Sequence, residues 1–118
     1  MIFLKNNFAR FVREMEGRAR QALPRVATAV LNDLRRSGTM PFDTGHLQNA
    51  ATYVDVGNVA EGQVAIVSDT VYARRKFFHP EFNFDQSRNS RAGGRWFDAY
   101  IDGDKKDFAA QTFARLMR

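Results

Sequence analysis

"FARFVREMEGRARQALPRVATAVLNDL", residues 8–34, is the stretch whose reading sets the fold. At 100° per residue from Phe8, the side chains of Phe8, Val12, Met15, Ala19, Ala22, Leu23, Val26, Val30 and Leu34 gather within about 80° of one centre line. That spacing predicts one amphipathic helix of roughly thirty residues. Pro24 lies in its middle but points away from the apolar stripe, where a bend toward the core costs least. A kink is the expectation, with a break into two helices as the alternative. Arg10, Arg13, Arg18, Arg20 and Arg25 fill the remaining arc beside Glu14 and Glu16, which reads as a solvated face. Asp33 falls on the apolar side and is expected to mark the helix leaving the core.

Downstream, "SGTMPFDTG" (37–45) clusters Gly38, Pro41 and Gly45 and breaks the helix. Asp43 or Thr44 can then cap a short helical turn through "GHLQNA". "ATYVDVG" and "GQVAIVSD" alternate apolar and polar residues, are rich in β-branched types, and are separated by "NVAE", so they read as an antiparallel hairpin. In the second strand Val64, Ile66 and Ser68 share one face and Ala65 and Val67 the other. It is expected to be a central strand buried on both sides, with residues 71–84 continuing as an irregular third strand. "DQSRNSRAGG" (85–94) reads as a long exposed loop. "RWFDAYIDG" reads as a short helix closed by Gly103, and a last helix from Asp104, with that residue as its cap, gathers Phe108, Ala109, Thr112, Phe113 and Leu116.

The architecture expected is α+β in a single domain over 1–118: helix 1–36, loop and short helix 37–51, antiparallel sheet 52–84, exposed loop 85–95, and helices 96–118. A chain of 118 residues supports one small core. No repeat, low-complexity segment or interdomain linker interrupts it.

Composition narrows function. The chain has no cysteine, which removes disulfides, thiolate metal sites and thiol catalysis together. No signal-peptide core and no run of eighteen uncharged apolar residues is found, so the chain reads as soluble and intracellular. The formal charge is +5, unevenly spread: residues 43–70 carry four acids and no Lys or Arg, whereas 71–95 carry six cations against two acids. Fourteen of the eighteen cations are Arg, the side chain suited to bidentate pairing and ring stacking.

Enzyme chemistry finds little footing. Arg74 and His79 have the Arg-x4-His spacing of HEPN-type ribonucleases, but Pro80 biases His79 away from the helix that chemistry needs. "DGDKKD" (102–107) lacks the order of a calcium loop. His46 has no second ligand at i+4, Gly93-Gly94 lacks the rest of a phosphate loop, and no Ser sits in a nucleophile elbow. Neither catalysis nor a cofactor nor a metal is expected. Nucleic acid is the stronger rival, because "VYARRKFFHPEFNF" (71–84) interleaves rings with cations. Against it, Phe77, Phe78, Phe82 and Phe84, like Trp96, Phe97 and Tyr100, are needed to complete a small core or a subunit contact.

Three segments together resemble a known family. Asp43-Thr44-Gly45 with Leu47, then Tyr72-Ala73-Arg74-Arg75 with His79-Pro80 after a hydrophobic strand, then Gly93-Gly94-Arg95-Trp96 following Ala92, occur in an order and spacing similar to the minor capsid or head–tail joining (tail-completion, neck) proteins of long-tailed phages and prophages. The likeness covers 42–118; where the family commonly has Ser after the Asp-Thr-Gly-x-Leu segment, this chain has Ala50-Ala51. The resemblance implies a non-enzymatic structural protein, assembled in the bacterial cytoplasm and placed at the head–tail interface of the virion. It also implies a ring homo-oligomer that is monomeric or weakly associated in isolation, with head-closure or portal-side and tail-terminator proteins as partners. Contact with DNA passing through the lumen stays open, as does a small basic nucleic-acid-binding domain as the alternative function. A ring needs unlike patches on each subunit; the acidic and basic sections offer them, and Arg74, Arg75 or Arg95 are expected to pair with Asp55, Glu61 or Asp69 of a neighbour. A rival expectation sets the 85–95 loop against a portal-side or tail-side partner.

Overall fold

A computed structural model describes residues 2–41, 46–49, 51–70 and 72–118, with the side chains of all of these except 2–9, 11 and 46. The long helix forms as the periodicity predicts. α1 runs over Ile2–Ser37 without a break, with Pro24 inside it. The Thr28 hydroxyl donates to the Pro24 carbonyl at 2.9 Å, and the two-helix alternative is not adopted. Burial on its apolar stripe deepens along the chain: Val12, Met15 and Ala19 are half-buried, whereas Ala22, Val26, Ala27, Val30, Leu31 and Leu34 are buried. Helix length is about 54 Å at 1.5 Å per residue. The radius of gyration is accordingly 18.2 Å, against roughly 13.5 Å for a compact chain of this size. α1 is a spine on which the rest is mounted.

Gly38 takes a left-handed φ of 69° and ends the spine. A short α2 follows at His46–Asn49, where a helical turn is predicted. β1 (Thr52–Asp55) and β2 (Ala65–Ser68) pair antiparallel, Thr52 opposite Ser68 and Asp55 opposite Ala65. Between them Val59–Glu61 form a 3₁₀ turn, closed by Gly62 at φ 81°, a conformation that glycine adopts without the Cβ penalty. Thr52, Val54, Ile66 and Ser68 face the core side of this ribbon.

The predicted third strand is not there. The described sheet has two strands, so β2 is not central, and Ala65 is exposed rather than buried. Residues 73–78 form α3 (Ala73–Phe78) instead. Ala73 and Phe77, four apart, turn to one side; Ala73 is buried and Phe77 packs on the core, while Arg74 and Arg75 face out. Tertiary burial of that pair outweighs the β propensity of the flanking aromatics. His79 leaves the helix at φ −125°, ψ 70°, as a residue before proline should.

The 85–95 loop is not simply exposed either. Asn89 Nδ2 donates to the Met40 carbonyl at 2.9 Å and to Gln48 Oε1 at 2.7 Å. The backbone N–H groups of Arg91 and Gly93 bond to the carbonyls of Gly38 and Thr39, and Ala92 is buried. Its longest exposed run is residues 85–88.

α4 (Asp98–Ile101) is capped by Asp102, and the predicted Gly103 follows with its N–H bonded to the Asp98 carbonyl at 3.2 Å; a Cβ on Gly103 would lie 2.7 Å from the Ala99 Cα. The last helix starts later than expected. α5 spans Phe108–Leu116, its N-cap residue is Asp107 without a side-chain capping bond, and Asp104 caps nothing. Residues 104–107 are instead turns, drawn to α1 by Lys105, whose Nζ is 2.8 Å from Asp33. Thr112 is buried and Phe108, Phe113 and Leu116 are half-buried, but Ala109 is exposed, contrary to the predicted face. α5 lies along α1, and Arg18, expected on a solvated face, donates to the Met117 carbonyl at 2.6 Å, where a cation complements the helix end.

Asp33 does not mark an exit from the core. Its carboxylate accepts from the Tyr100 hydroxyl at 2.5 Å as well as from Lys105, tying α1 to the C-terminal third. Burial alone would raise this carboxyl's pKa; the hydrogen bonds from Lys105 and Tyr100, aided by the charges of Lys105 and Arg36, outweigh it and hold the group below its usual range. Desolvation first, then the bond to Asp33, pushes the Tyr100 phenol upward.

Candidate functional site

The core that positions the surface consists of Leu31, Leu34, Met40, Leu47, Ala73 and Trp96. Trp96 is its largest member, and its indole N–H points to Ser68 Oγ at 3.3 Å, while Ser68 shares a 2.8 Å hydrogen bond with the fully buried Thr52. Arg35 secures the other flank by donating to the carbonyls of Gln48 (3.0 Å), Asn49 (3.3 Å) and Thr52 (3.2 Å). One guanidinium thereby joins α1, α2 and β1.

Two of the three sequence motifs meet on this base. The Arg95 N–H bonds to the Phe77 carbonyl at 2.9 Å, so the Gly93–Trp96 segment seats against the end of α3. Gly94 makes the approach possible: a Cβ there would stand 2.8 Å from the Lys76 carbonyl oxygen, 3.0 Å from that of Phe77 and 3.1 Å from the Pro80 Cα. All three obstacles are backbone atoms. Arg95 then takes φ 54°, rare for a residue with a Cβ and costing about 1 kcal/mol or more. Its guanidinium compensates by reaching Asp98 at 2.8 Å and lying 5.2 Å and 5.4 Å from the Phe77 and Phe78 ring centres.

The remaining motif residues divide by burial. Leu47 and Ala73 are core, and Trp96 is the core's anchor. Tyr72 is exposed with the Lys76 ammonium 4.7 Å from its ring centre. His79 stacks on Phe82, its Nδ1 2.8 Å from Glu81, and the bond from His79 lowers the Glu81 carboxyl's pKa. Pro80 is exposed beside Gly94. Arg74 is exposed, and Arg75 lies 5.5 Å from the Phe82 ring centre. Asp43, Thr44 and Gly45 lie outside the described residues. Sequence reasoning missed Arg35, Asn89 and Thr70; only the fold reveals what they face, since nothing in their neighbours' spacing distinguishes them.

The resulting surface is apolar with a basic lip. A groove of about 270 Å³ is lined by Ala73, Phe77, Phe78, Trp96 and Phe97, with Arg74 at its edge. Phe78 is 55% exposed, an unusual state for so large an apolar ring. The groove joins hydroxyls, rings and one guanidinium, a set that can bind but that lacks a base beside a nucleophile. Among the described residues no group of three His, Asp or Glu could hold a metal ion, and no helix is long and apolar enough to cross a membrane. No family profile, curated protein or solved structure matches the chain.

Proposed function

We propose that the chain is a structural protein, not an enzyme, of a long-tailed phage or prophage, and that it joins head and tail as a subunit of a ring at the neck. The observation that carries this reading is the union of the Tyr72–Pro80 and Ala92–Trp96 segments through Gly94. Residues that resemble the family's motifs are used to shape one outward surface, with Tyr72, Arg74, Arg75 and Phe78 exposed on it. Its partners under this reading are further copies of itself, the head-closure or portal-side protein and the tail-terminator protein, met in the bacterial cytoplasm during assembly.

Deleting the coding sequence from its phage genome tests the reading. Lysates should then contain filled heads and separate tails by electron microscopy, and expression of the chain in trans should restore joining. Joined virions without the chain would overturn it.

Exposed cations beside exposed rings also favour the second reading, a small nucleic-acid-binding domain. Filter binding against salt separates the two. A nucleic-acid binder should lose affinity with a log–log slope of about one unit per phosphate contact, whereas an assembly subunit should show little binding at any salt.

A further inference from the structure

Five large apolar side chains stand exposed among the described residues, and four of them fall into two pairs. Phe78 lines the groove beside α3 and Tyr72 precedes that helix; Tyr53 and Val56 belong to the outer face and tip of the hairpin. Phe78 and Val56 sit at opposite ends of the ribbon, whereas Tyr53, opposite Val67, stands one residue from the groove end. Thr52 and Ser68 adjoin Trp96 and the groove, whereas Asp55 and Ala65 lead into the tip.

Their charges are opposite as well. Arg74 lies at the groove's lip with Arg75 next to it, and among the described residues no ion pair engages either guanidinium. Arg95, by contrast, is taken by Asp98 and drops out of the expected set of intersubunit cations. The tip has Asp55 and Glu61 and belongs to the section that lacks any Lys or Arg. Asp69 is next to Thr70, on the groove's own side, and so is not a partner for it across a seam. Inside the groove, Thr70 Oγ1 is buried and has no hydrogen-bond partner among the described residues, a cost that an incoming polar group would remove.

We propose that the groove receives the hairpin tip of a second copy of the chain, Val56 packing beside Phe78 while Glu61 and Asp55 meet Arg74 and Arg75. A basic segment is the wrong occupant, because like charges at the lip oppose it. Ile101 is also exposed between acids, but Asp98 is taken by Arg95, and Lys105 and Lys106 follow it, whereas the hairpin section that carries Val56 has no Lys or Arg. Because knob and groove are unlike patches at opposite ends, the contact is heterologous, and repeated contacts produce a closed ring if the rotation closes. The proposal rests on the assembly reading for its place in a virion, though the contact itself does not need it.

The absence of cysteine makes the test clean. Val56→Cys and Phe78→Cys are placed in separate chains, one with a mass tag, mixed and oxidised; far-ultraviolet circular dichroism and Trp96 emission confirm that both fold. The mixed adduct should exceed by at least about tenfold the adduct that either variant forms with itself. Adding Arg74→Glu and Arg75→Glu to the Phe78→Cys chain should cut the yield at least about fivefold, and Glu61→Arg on the other chain should restore it. Self-adducts equal to mixed ones, a yield indifferent to charge reversal, or adducts that form only when duplex DNA is added would each overturn the proposal. A Phe78→Ser chain that restores virion joining would sink the seam and leave the assembly reading. A strong mixed adduct from a chain whose deletion leaves virions joined would do the opposite.

Discussion

At one end of the hairpin, Thr52 and Ser68 are tied to each other and to Trp96, with Arg35 holding the Thr52 carbonyl; at the other, Val56 stands in solvent and the turn is held by its own neighbours. There the Asp55 carboxylate accepts from the Gly57 N–H at 2.9 Å, and Gly62 supplies the left-handed residue. The base is hydrogen-bonded to Arg35 of α1 and to Trp96, whereas the hydrogen bonds of the tip are local, although its 3₁₀ turn also lies against α1. Stability should therefore concentrate at the base, which leaves the tip free to change without unfolding the protein.

Removing the base's anchor is the most severe way to break this contrast. Trp96→Ala should cost about 3–5 kcal/mol, from lost burial and the cavity left among Leu34, Met40 and Phe77, and chemical denaturation followed by far-ultraviolet circular dichroism would read it. Gly94→Ala should cost about 1–3 kcal/mol, because the new methyl meets backbone that cannot swing aside; a thermal midpoint equal to the parent's would contradict the close approach described.

The Asp33 tie is weaker and depends on pH. A carboxyl whose folded pKa lies below its unfolded value contributes stability that is fully present above about pH 4 and is lost as pH falls through the lower folded value. Asp33→Asn should thus cost about 1 kcal/mol at pH 7, with the difference from the parent shrinking in urea titrations below pH 4. At the tip, Val56→Ser should change stability by no more than about 0.5 kcal/mol. If it were as damaging as Gly94→Ala, the proposed division between base and tip would be wrong.

Legibility in the sequence follows the same division. The α1 stripe, the hairpin and the Gly103 stop are local patterns, visible because period and turn chemistry act over a few residues. α3 was misread as a strand because six residues with two adjacent Phe carry too little period to separate helix from strand. What decides it is the pocket that Ala73 and Phe77 enter. The 85–95 segment misled for a related reason: Ser, Asn and Gly signal irregular backbone, and irregular backbone can still be fastened, as Asn89 is to Met40 and Gln48. Asp104 looked like a cap from composition, but Asp33 draws the neighbouring Lys105 toward α1 and the helix begins four residues later.

The candidate surface was legible as residues but not as a place. Arg74, Arg75, Gly94 and Trp96 stand out in the sequence, yet nothing there says that Gly94 lets one motif dock on the other, that Arg95 is spent on Asp98, or that the buried Thr70 hydroxyl has no partner among the described residues.

By itself the sequence determined a long amphipathic spine, a hairpin with an acidic tip, a basic section beyond it and the exclusion of thiol chemistry. Those are consequences of residue type and short-range spacing. Only the tertiary structure decided that the ring-rich segment turns into a helix, that its Phe77 goes in while Phe78 stays out, and that a basic-lipped groove lies at the opposite end of the ribbon from the acidic tip. Each of these depends on contacts between residues far apart in the chain, where burial outweighs local preference.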